Sequence, residues 1–324
     1  MKEIGSFIEL EFKNNGEYYT GENVLRLNSG RSGIYHSARV LGCETVWIPY
    51  YQCETVRNFL LKKGILVKYY HIDESFNPID IFQGENEAVV IVNYYGIMSE
   101  KRIENLAVKY KNVIIDNSQA FFAKPIENCI NVYSARKFVG VPDGAYVIGD
   151  NVNQVNDYGM DFSSDTADFL FKRIEYGCEG ETYSARTKNE ERIDSSDILN
   201  MSQLTKTILK SCDYDLNVKK RRDNFEKAIS LFSNINKLNP LKYYDETCVP
   251  MVYPLVVEDD NLLSVLLKNK IFQGHWWKYV MSEVSEECFE YYLSRYIIPI
   301  TIDQRYGEED LIYTYHLIKE FLEK

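Results

Sequence analysis

Runs of apolar, strand-forming residues alternate with helical patterns over about the first 150 of the 324 residues. Strand-like runs cover residues 45–51, 65–73, 87–96, 112–118, 128–135 and 144–150, and helical patterns cover residues 31–41, 54–64 and 100–110. This alternation predicts a largely parallel sheet with helices on both faces, because parallel neighbours are joined by crossover helices. The expected fold class is therefore a three-layer α/β/α sandwich, with ligands at the carboxyl ends of the strands.

The chain after residue 150 is organised differently. Residues 151–200 are polar and irregular, which predicts loops and helix pieces. Helical periodicity returns over residues 197–235, as two helices or as one long bent helix, and short strands then alternate with helices. We predict a large domain of residues 1–210 and a small C-terminal α/β domain of residues 211–324.

Composition argues against several functional classes. The formal net charge is −11, which disfavours nucleic acid or an anionic membrane as the main partner. The sequence has no stretch of eighteen apolar residues and no signal-peptide pattern. Its seven cysteines are scattered without a CxxC pair, so we expect neither a disulfide framework nor a metal site. The expectation is a soluble, cytoplasmic protein with reduced thiols.

Three polar clusters follow predicted strands, at residues 93–96, 116–119 and 134–137, and the last two contain candidate catalytic groups. Asp116 ends an apolar run, so its carboxylate is expected to be partly desolvated and to need a partner, such as a protonated ring nitrogen. Gln119 could face the same ligand, although a helix or turn cap explains Asp116 equally well. Further on, Ser134 and Lys137 lie at a strand exit, where a desolvated lysine can form an imine and a serine can donate to a phosphate. A solvated loop lysine is the alternative.

Two further segments could contribute to one ligand site. Gly30 and Arg31 open a predicted helix, whose free backbone amides and dipole favour an anion, although a plain helix-start turn fits as well. Tyr51 follows a predicted strand and could stack on a planar ligand, although a core aromatic fits as well.

Taken in order, these segments resemble the DegT/DnrJ/EryC1/StrS sugar aminotransferases, a group of pyridoxal-phosphate enzymes of fold type I. The resemblance rests on Ser-Gly-Arg at a helix start, Pro-Tyr-Tyr after a strand, Asp116-x-x-Gln119, and Lys137 before a glycine-bearing turn. It continues through residues 200–209, 218–225, 275–279 and 295–311, and thus covers most of the chain. It implies an aspartate-aminotransferase-like fold.

The resemblance also implies a role for each residue. Lys137 would hold the cofactor, pyridoxal 5'-phosphate, as a Schiff base and shuttle a proton, while Asp116 would keep the pyridine nitrogen protonated. Gln119 would contact the phenolic oxygen. The remaining cofactor-binding positions would be the amides of Gly30 and Arg31 with Ser134 at the phosphate, Tyr51 on the ring, and Asn200 at the neighbouring subunit's phosphate.

The sequence departs from the family's pattern at three places. Ser134 lies three residues before the lysine, where the group usually has five, and position 132 is valine. The usual Gly-Glu-Gly-Gly is replaced by Pro142-Asp143-Gly144-Ala145, and the family's asparagine falls near Ile198, which leaves Asn200 as a substitute.

The function implied is amino transfer from an amino acid such as glutamate to a keto-sugar nucleotide, in a homodimer with shared sites. Amino-acid transamination, a lyase activity or a non-catalytic regulatory role with the same fold are the alternatives. The sequence does not name the acceptor.

Overall fold

The computed structural model describes residues 4–324 and has a central sheet of eight strands. Their order across the sheet is β1-β8-β7-β6-β5-β2-β3-β4. The strands are β1 (Val24–Leu27), β2 (Thr45–Pro49), β3 (Leu66–Ile72), β4 (Pro78–Ile79), β5 (Glu87–Val92), β6 (Val113–Asn117), β7 (Ile130–Ser134) and β8 (Ala145–Ile148). The five strands from β7 to β3 pair in parallel, while β1, β4 and β8 join antiparallel. The largely parallel sheet predicted from the alternation is confirmed.

Helices flank this sheet and build the rest of the chain. They are α1 (Gly30–Leu41), α2 (Glu54–Lys62), α3 (Glu100–Ala107), α4 (Asp168–Tyr176), α5 (Glu181–Ser195), α6 (Gln203–Lys210), α7 (Tyr214–Phe232), α8 (Leu262–Lys268), α9 (Phe289–Tyr296) and α10 (Glu308–Leu322). The central strands are mostly apolar because both of their faces are covered: every residue of β6 and β7 is buried.

The C-terminal part contains a second, two-stranded antiparallel sheet of β9 (Val252–Val256) and β10 (Ile297–Thr301). Helices α7 and α10 pack against each other beside it. One continuous apolar core includes Ile114 of the central sheet together with Phe225 and Ile300 of the C-terminal part. The predicted domain boundary at residue 210, which falls at the end of α6, stays a prediction.

The helices between residues 160 and 235 refine the sequence prediction. Residues 197–235 form two helices, α6 and α7, and residues 151–200 contain the fifteen-residue α5. The buried positions of α5 are Thr182, Ala185, Asn189 and Ile193. Because half of them are polar, the sequence shows no apolar stripe that would predict this helix. Within residues 4–324, no helix is long and apolar enough to cross a membrane.

Candidate active site

The start of α1 lies against the ends of β6 and β7. A Cβ atom added to Gly30 would come within 3.0 Å of the Ser118 Oγ and 3.9 Å of the Ser134 Cβ. Glycine therefore lets the helix terminus approach both serines closely. Neither serine hydroxyl has a hydrogen-bond partner in the described part of the chain. We call the residues gathered here the strand-end cluster: Gly30, Gln52, Asp116, Ser118, Gln119 and Ser134.

Helix α1 presents two free amides to this cluster. Ser29 is its N-cap, and the Ser29 hydroxyl accepts a hydrogen bond from the Ser32 amide. The Gly33 amide donates to the Ser29 carbonyl. The amides of Gly30 and Arg31, in the first turn, have no intrahelical acceptor. With the helix dipole they favour an oxyanion beside Ser118 and Ser134.

The side chain of Arg31 does not join this cluster. Its guanidinium is buried, forms an ion pair with Asp194, donates to the Ile193 carbonyl, and lies 5.5 Å from the ring centroid of Phe59. Arg31 thus anchors α1 to the end of α5. Only its backbone amide is left to bind an anion at the strand-end cluster.

Asp116 is buried, with 5% of its surface exposed, near the end of β6. Its Oδ2 accepts a hydrogen bond of 2.7 Å from the Gln52 side chain, and its Oδ1 accepts one of 2.9 Å from the Ser118 amide. No cation pairs with this carboxylate among residues 4–324. Because a carboxylate has about four lone-pair sites, Asp116 can still accept a hydrogen bond from a ligand.

Gln119 and Tyr51 belong to an aromatic layer next to Asp116. The Gln119 Oε1 accepts a 2.7 Å hydrogen bond from the Tyr95 amide, and the hydroxyls of Tyr51 and Tyr95 lie 2.9 Å apart. Tyr51 is fully buried and meets Trp277 edge-on, with ring centroids 4.6 Å apart. Burial raises the pKa of Tyr51, so its phenol stays protonated. The ring of Tyr51 is packed among protein aromatics, and its stacking role stays a prediction.

Lys137 ends the 3₁₀ turn that follows β7, and its side chain is exposed. It lines a cavity of about 790 Å³. The walls are the segment after β7, the helices α4 and α5, Arg221 of α7, the loop after α8 (residues 269–273), the segment before α10 (residues 300–306) and the start of α10. We call this space the Lys137 cavity. Asp116 and Gln119 do not line it. The structure therefore joins Lys137 to the strand-end cluster only through the short chain segment from Ser134.

The Lys137 cavity is basic although the chain is acidic overall. Its walls carry seven basic residues, Arg136, Lys137, Arg173, Arg186, Arg221, Lys270 and Arg305, and three acidic ones, Glu190, Asp303 and Asp310. Arg136 pairs with Glu190 and Arg305 with Asp303. Burial lowers the pKa of Arg221 to about 10, so it remains charged at neutral pH. Such a cavity favours an anionic ligand.

The turn after Lys137 explains one departure from the family's pattern. The Asp143 carboxylate is fully buried and accepts hydrogen bonds from the Ser202 amide (2.8 Å), the Ser202 hydroxyl (2.6 Å) and the Thr205 hydroxyl. It thereby holds the start of α6. Gly144 has φ +118°, and a Cβ atom there would meet the Thr205 Cγ2 at 2.8 Å, so glycine is required at this position.

Asn200 lies just before α6, and its side chain faces its own chain. The Asn200 amide donates to the Tyr158 carbonyl at 2.6 Å, while its backbone forms bridges to Leu27 and Met160. A contact with a second subunit's phosphate would require that side chain to leave Tyr158. The role of Asn200 stays a prediction.

Three residues that contribute to these sites were not singled out in the sequence. Ser118 lies between Asp116 and Gln119, and Gln52 follows Tyr51, so proximity to the predicted residues was the only signal for them. Arg221 lies in the polar run of residues 218–224, where an inward-facing arginine looks the same as a solvated one.

The fold is similar to that of several enzymes of known structure. A DegT DnrJ EryC1 StrS aminotransferase from Brucella abortus shares 14% identity with a TM-score of 0.59, over 93% of this chain and 86% of that chain. The fold is theirs. The sugar aminotransferase CalS13 from Micromonospora echinospora matches at 15% identity and TM-score 0.58, over 92% of this chain and 87% of that chain. An E. coli GDP-4-keto-6-deoxy-D-mannose-3-dehydratase with bound hydrated PLP matches at 13% identity and a TM-score of 0.59, over 94% of this chain and 88% of that chain.

By sequence, no family model and no curated protein matches the chain. The likeness is therefore one of fold, and it confirms the α/β fold that the resemblance implied. The activity has to be argued from the residues themselves.

Proposed function

We propose that the protein is a pyridoxal-phosphate-dependent aminotransferase that transfers an amino group from an amino acid such as glutamate to a keto-sugar nucleotide. One observation supports this proposal most strongly. The 3₁₀ turn after β7 connects the anion-binding end of the strand-end cluster to a lysine that lines a basic cavity. Ser134 lies in the strand-end cluster, and Lys137 lines the cavity three residues later.

The residues present suit the cofactor. Gly30 leaves a space beside Ser118 and Ser134 that a side chain would fill, and a phosphate could accept from both hydroxyls and two helix amides. Asp116 is a buried carboxylate with capacity for one more donor, which a protonated pyridine nitrogen would supply.

Pyridoxal phosphate, when bound, supplies an electron sink that makes a proton on the substrate carbon removable. Lys137 would hold the cofactor covalently through Nζ and then move that proton, since its side chain reaches the cavity where substrate enters. Asp116 would hold a proton on the pyridine nitrogen, and Gln119 would contact the phenolic oxygen. The amides of Gly30 and Arg31 would bind the phosphate.

The absorbance spectrum of the purified protein tests the proposal directly. We expect a visible band from bound cofactor that bleaches when glutamate is added and returns with a keto-sugar nucleotide. A band that glutamate leaves unchanged, together with loss of water from a keto-sugar nucleotide, would favour the lyase alternative. Absence of any band after incubation with pyridoxal phosphate would contradict the proposal.

The acceptor is inferred from fold likeness and charge. Two of the similar structures are described as a sugar aminotransferase and as a dehydratase of a GDP-linked keto-sugar. The basic walls of the Lys137 cavity suit the phosphates of such a substrate. Both the donor and the acceptor belong to this proposal.

We also infer a homodimer, from an apolar surface on α4. This helix has no buried residue, and Phe162, Ile174 and Tyr176 on and before it are 83%, 82% and 73% exposed. Ile174 and its neighbour in space Tyr183 also line the Lys137 cavity, so a second subunit that covered this face would help close the cavity.

Replacing Ile174 with glutamate would place a charge in the proposed interface. We expect Ile174→Glu protein to sediment as a monomer at micromolar concentration, where the wild type sediments as a dimer. Val108→Glu serves as the matched control, because Val108 is equally exposed, at 82%, but lies after α3. A wild-type monomer that binds pyridoxal phosphate tightly would refute the shared site.

A further inference from the structure

Arg221 of α7 is a buried arginine that leaves the N–H groups on Nε and Nη2, three of its five, without an acceptor in the described part of the chain. It is 1% exposed, its Nη1 donates to the carbonyls of Pro250 (3.3 Å) and Met251 (3.1 Å), and its guanidinium lies 4.5 Å from the ring centroid of Phe138. Within residues 4–324, neither Nε nor Nη2 donates to any group, and no carboxylate forms an ion pair with it. The guanidinium edge formed by Nε and Nη2 is thus free.

A buried charge without a counterion is destabilising, so proteins rarely keep one unless a ligand completes it. Asp303 is the nearby carboxylate that could act as a counterion to Arg221, but it is not free to do so. Asp303 is engaged by Arg305 through two hydrogen bonds of 2.9 and 2.7 Å. The free edge of a guanidinium has two parallel N–H groups, which match the two oxygens of a carboxylate or a phosphate.

Arg221 is also placed beside the proposed reactive lysine. It lines the Lys137 cavity and stacks on Phe138, the residue that follows Lys137. Gln304 donates to the Phe138 carbonyl at 2.9 Å, and its own Oε1 is buried without a partner. An anion held on Arg221 could therefore bring a donor group within reach of Gln304.

We propose that Arg221 forms an oxyanion subsite, in which Nε and Nη2 bind a carboxylate or phosphate group of the substrate in the Lys137 cavity. The role as a substrate subsite rests on the proposed function. The same chemistry could come from the carboxylate of the amino-acid donor or from the phosphates of the sugar nucleotide, so the test uses a probe for each.

Calorimetric titration with glutarate and with uridine diphosphate would test the subsite, since neither probe can undergo amino transfer. We expect Arg221→Lys, which keeps the charge but loses the paired N–H groups, to weaken one of the two probes by at least about tenfold. Arg222→Gln is the matched control, because Arg222 is adjacent, donates to the Cys248 and Glu246 carbonyls, and does not line the cavity.

Weakened glutarate binding would assign the subsite to the amino donor, and weakened uridine diphosphate binding would assign it to the acceptor. Equal affinities in Arg221→Lys and wild type for both probes would overturn the proposal. If Arg221→Lys does not fold, a crystal structure of the wild type with each probe decides: an oxyanion on Nε and Nη2 supports the subsite, and a bound probe that leaves this edge free overturns it.

A cofactor assay on the wild type separates this inference from the proposed function. Borohydride reduction shows whether pyridoxal phosphate is bound covalently, and calorimetry on the same preparation shows whether the probe binds. Retained probe binding with no covalent cofactor in the wild type would refute the enzyme proposal and leave the anion subsite standing.

Discussion

The strand-end cluster and the Lys137 cavity differ in how far the protein itself satisfies their polar groups. In the strand-end cluster, Asp116 is held by Gln52 and the Ser118 amide, and Gln119 is held by the Tyr95 amide. Only neutral groups there, such as the hydroxyls of Ser118 and Ser134, are left without a partner among residues 4–324. In the cavity, Lys137, Arg173, Arg186 and Arg221 have no ion-pair partner within residues 4–324.

The difference indicates two kinds of binding. A cluster whose side chains are already oriented suits a ligand that stays, because little reorganisation is needed to bind it. A basic cavity with unpaired charges suits ligands that enter and leave, because their charges replace water and not protein partners. The predictions that follow separate the two regions by the size and type of effect.

The largest effect is expected in the cavity at Lys137. Lys137→Ala should lose the borohydride-reducible bond to pyridoxal phosphate and lower turnover by about a thousandfold or more, since it removes both the covalent anchor and the proton carrier. Peptide mass mapping after reduction locates the label in the wild type. A label on another lysine, such as the exposed Lys124, would show that Lys137 is a solvated loop residue.

A smaller effect is expected in the strand-end cluster at Asp116. Asp116→Asn should still bind the cofactor but slow the half-reaction with glutamate by about a hundredfold, because an amide cannot keep the pyridine nitrogen charged. Stopped-flow absorbance measures that step. Asp303→Asn, in the cavity wall, is a control for the loss of one half-buried carboxylate. An unchanged single-turnover rate would mean that Asp116 only caps its turn.

How well the sequence predicted each region follows from the range of the interactions involved. The parallel strands could be predicted because β5, β6 and β7 are buried on both faces and are therefore mostly apolar. Strand β1 was missed, because it is only four residues long and pairs antiparallel with β8 at the edge of the sheet. Gly30, Asp116 and Ser134 were predicted at strand and helix ends, and the structure brings the starts and ends of those elements together.

The cavity was much less predictable. It is assembled from residues 136–141, 169–190, 221, 269–273 and 300–314, and a sequence pattern carries no signal of such long-range contacts. The inward direction of Arg221 is set by Phe138 and by the carbonyls of Pro250 and Met251, all from distant elements. Helix α5 shows the same limit, because Asn189 is buried through hydrogen bonds to the Pro142 carbonyl and Thr166.

A third test, at Gly30 of the strand-end cluster, measures only the affinity for pyridoxal phosphate. Gly30→Val should weaken pyridoxal phosphate binding by about tenfold or more, because its Cβ would lie 3.0 Å from the Ser118 Oγ and its methyl groups would occupy the phosphate position. Equilibrium dialysis measures the change. Gly274→Val is the control for the same substitution outside the phosphate site, because Gly274 has open space around it and its backbone is not left-handed. Unchanged affinity would move the phosphate site elsewhere.

The smallest effect is expected at Gln52. Whether its replacement weakens or strengthens cofactor binding shows whether Asp116 is already oriented for the cofactor. The Gln52 amide donates to Asp116 at 2.7 Å, so it either positions the carboxylate for the pyridine nitrogen or competes with it. We expect positioning, because Asp116 keeps lone pairs free. Gln52→Leu should then lower the free energy of unfolding by about 1–2 kcal/mol, as a buried carboxylate loses one donor, and weaken cofactor binding severalfold.

Thermal denaturation and cofactor titration measure the two quantities on the same preparation. Cys53→Ala is the neighbouring control, since the Cys53 thiol forms a hydrogen bond with Thr55 and none with Asp116. Tighter cofactor binding in Gln52→Leu would mean that Gln52 occupies the place of the pyridine nitrogen, and that the strand-end cluster must open before it binds. The strand-end cluster would then have to exchange a protein hydrogen bond for one to the cofactor, and it would not be oriented in advance for a ligand that stays.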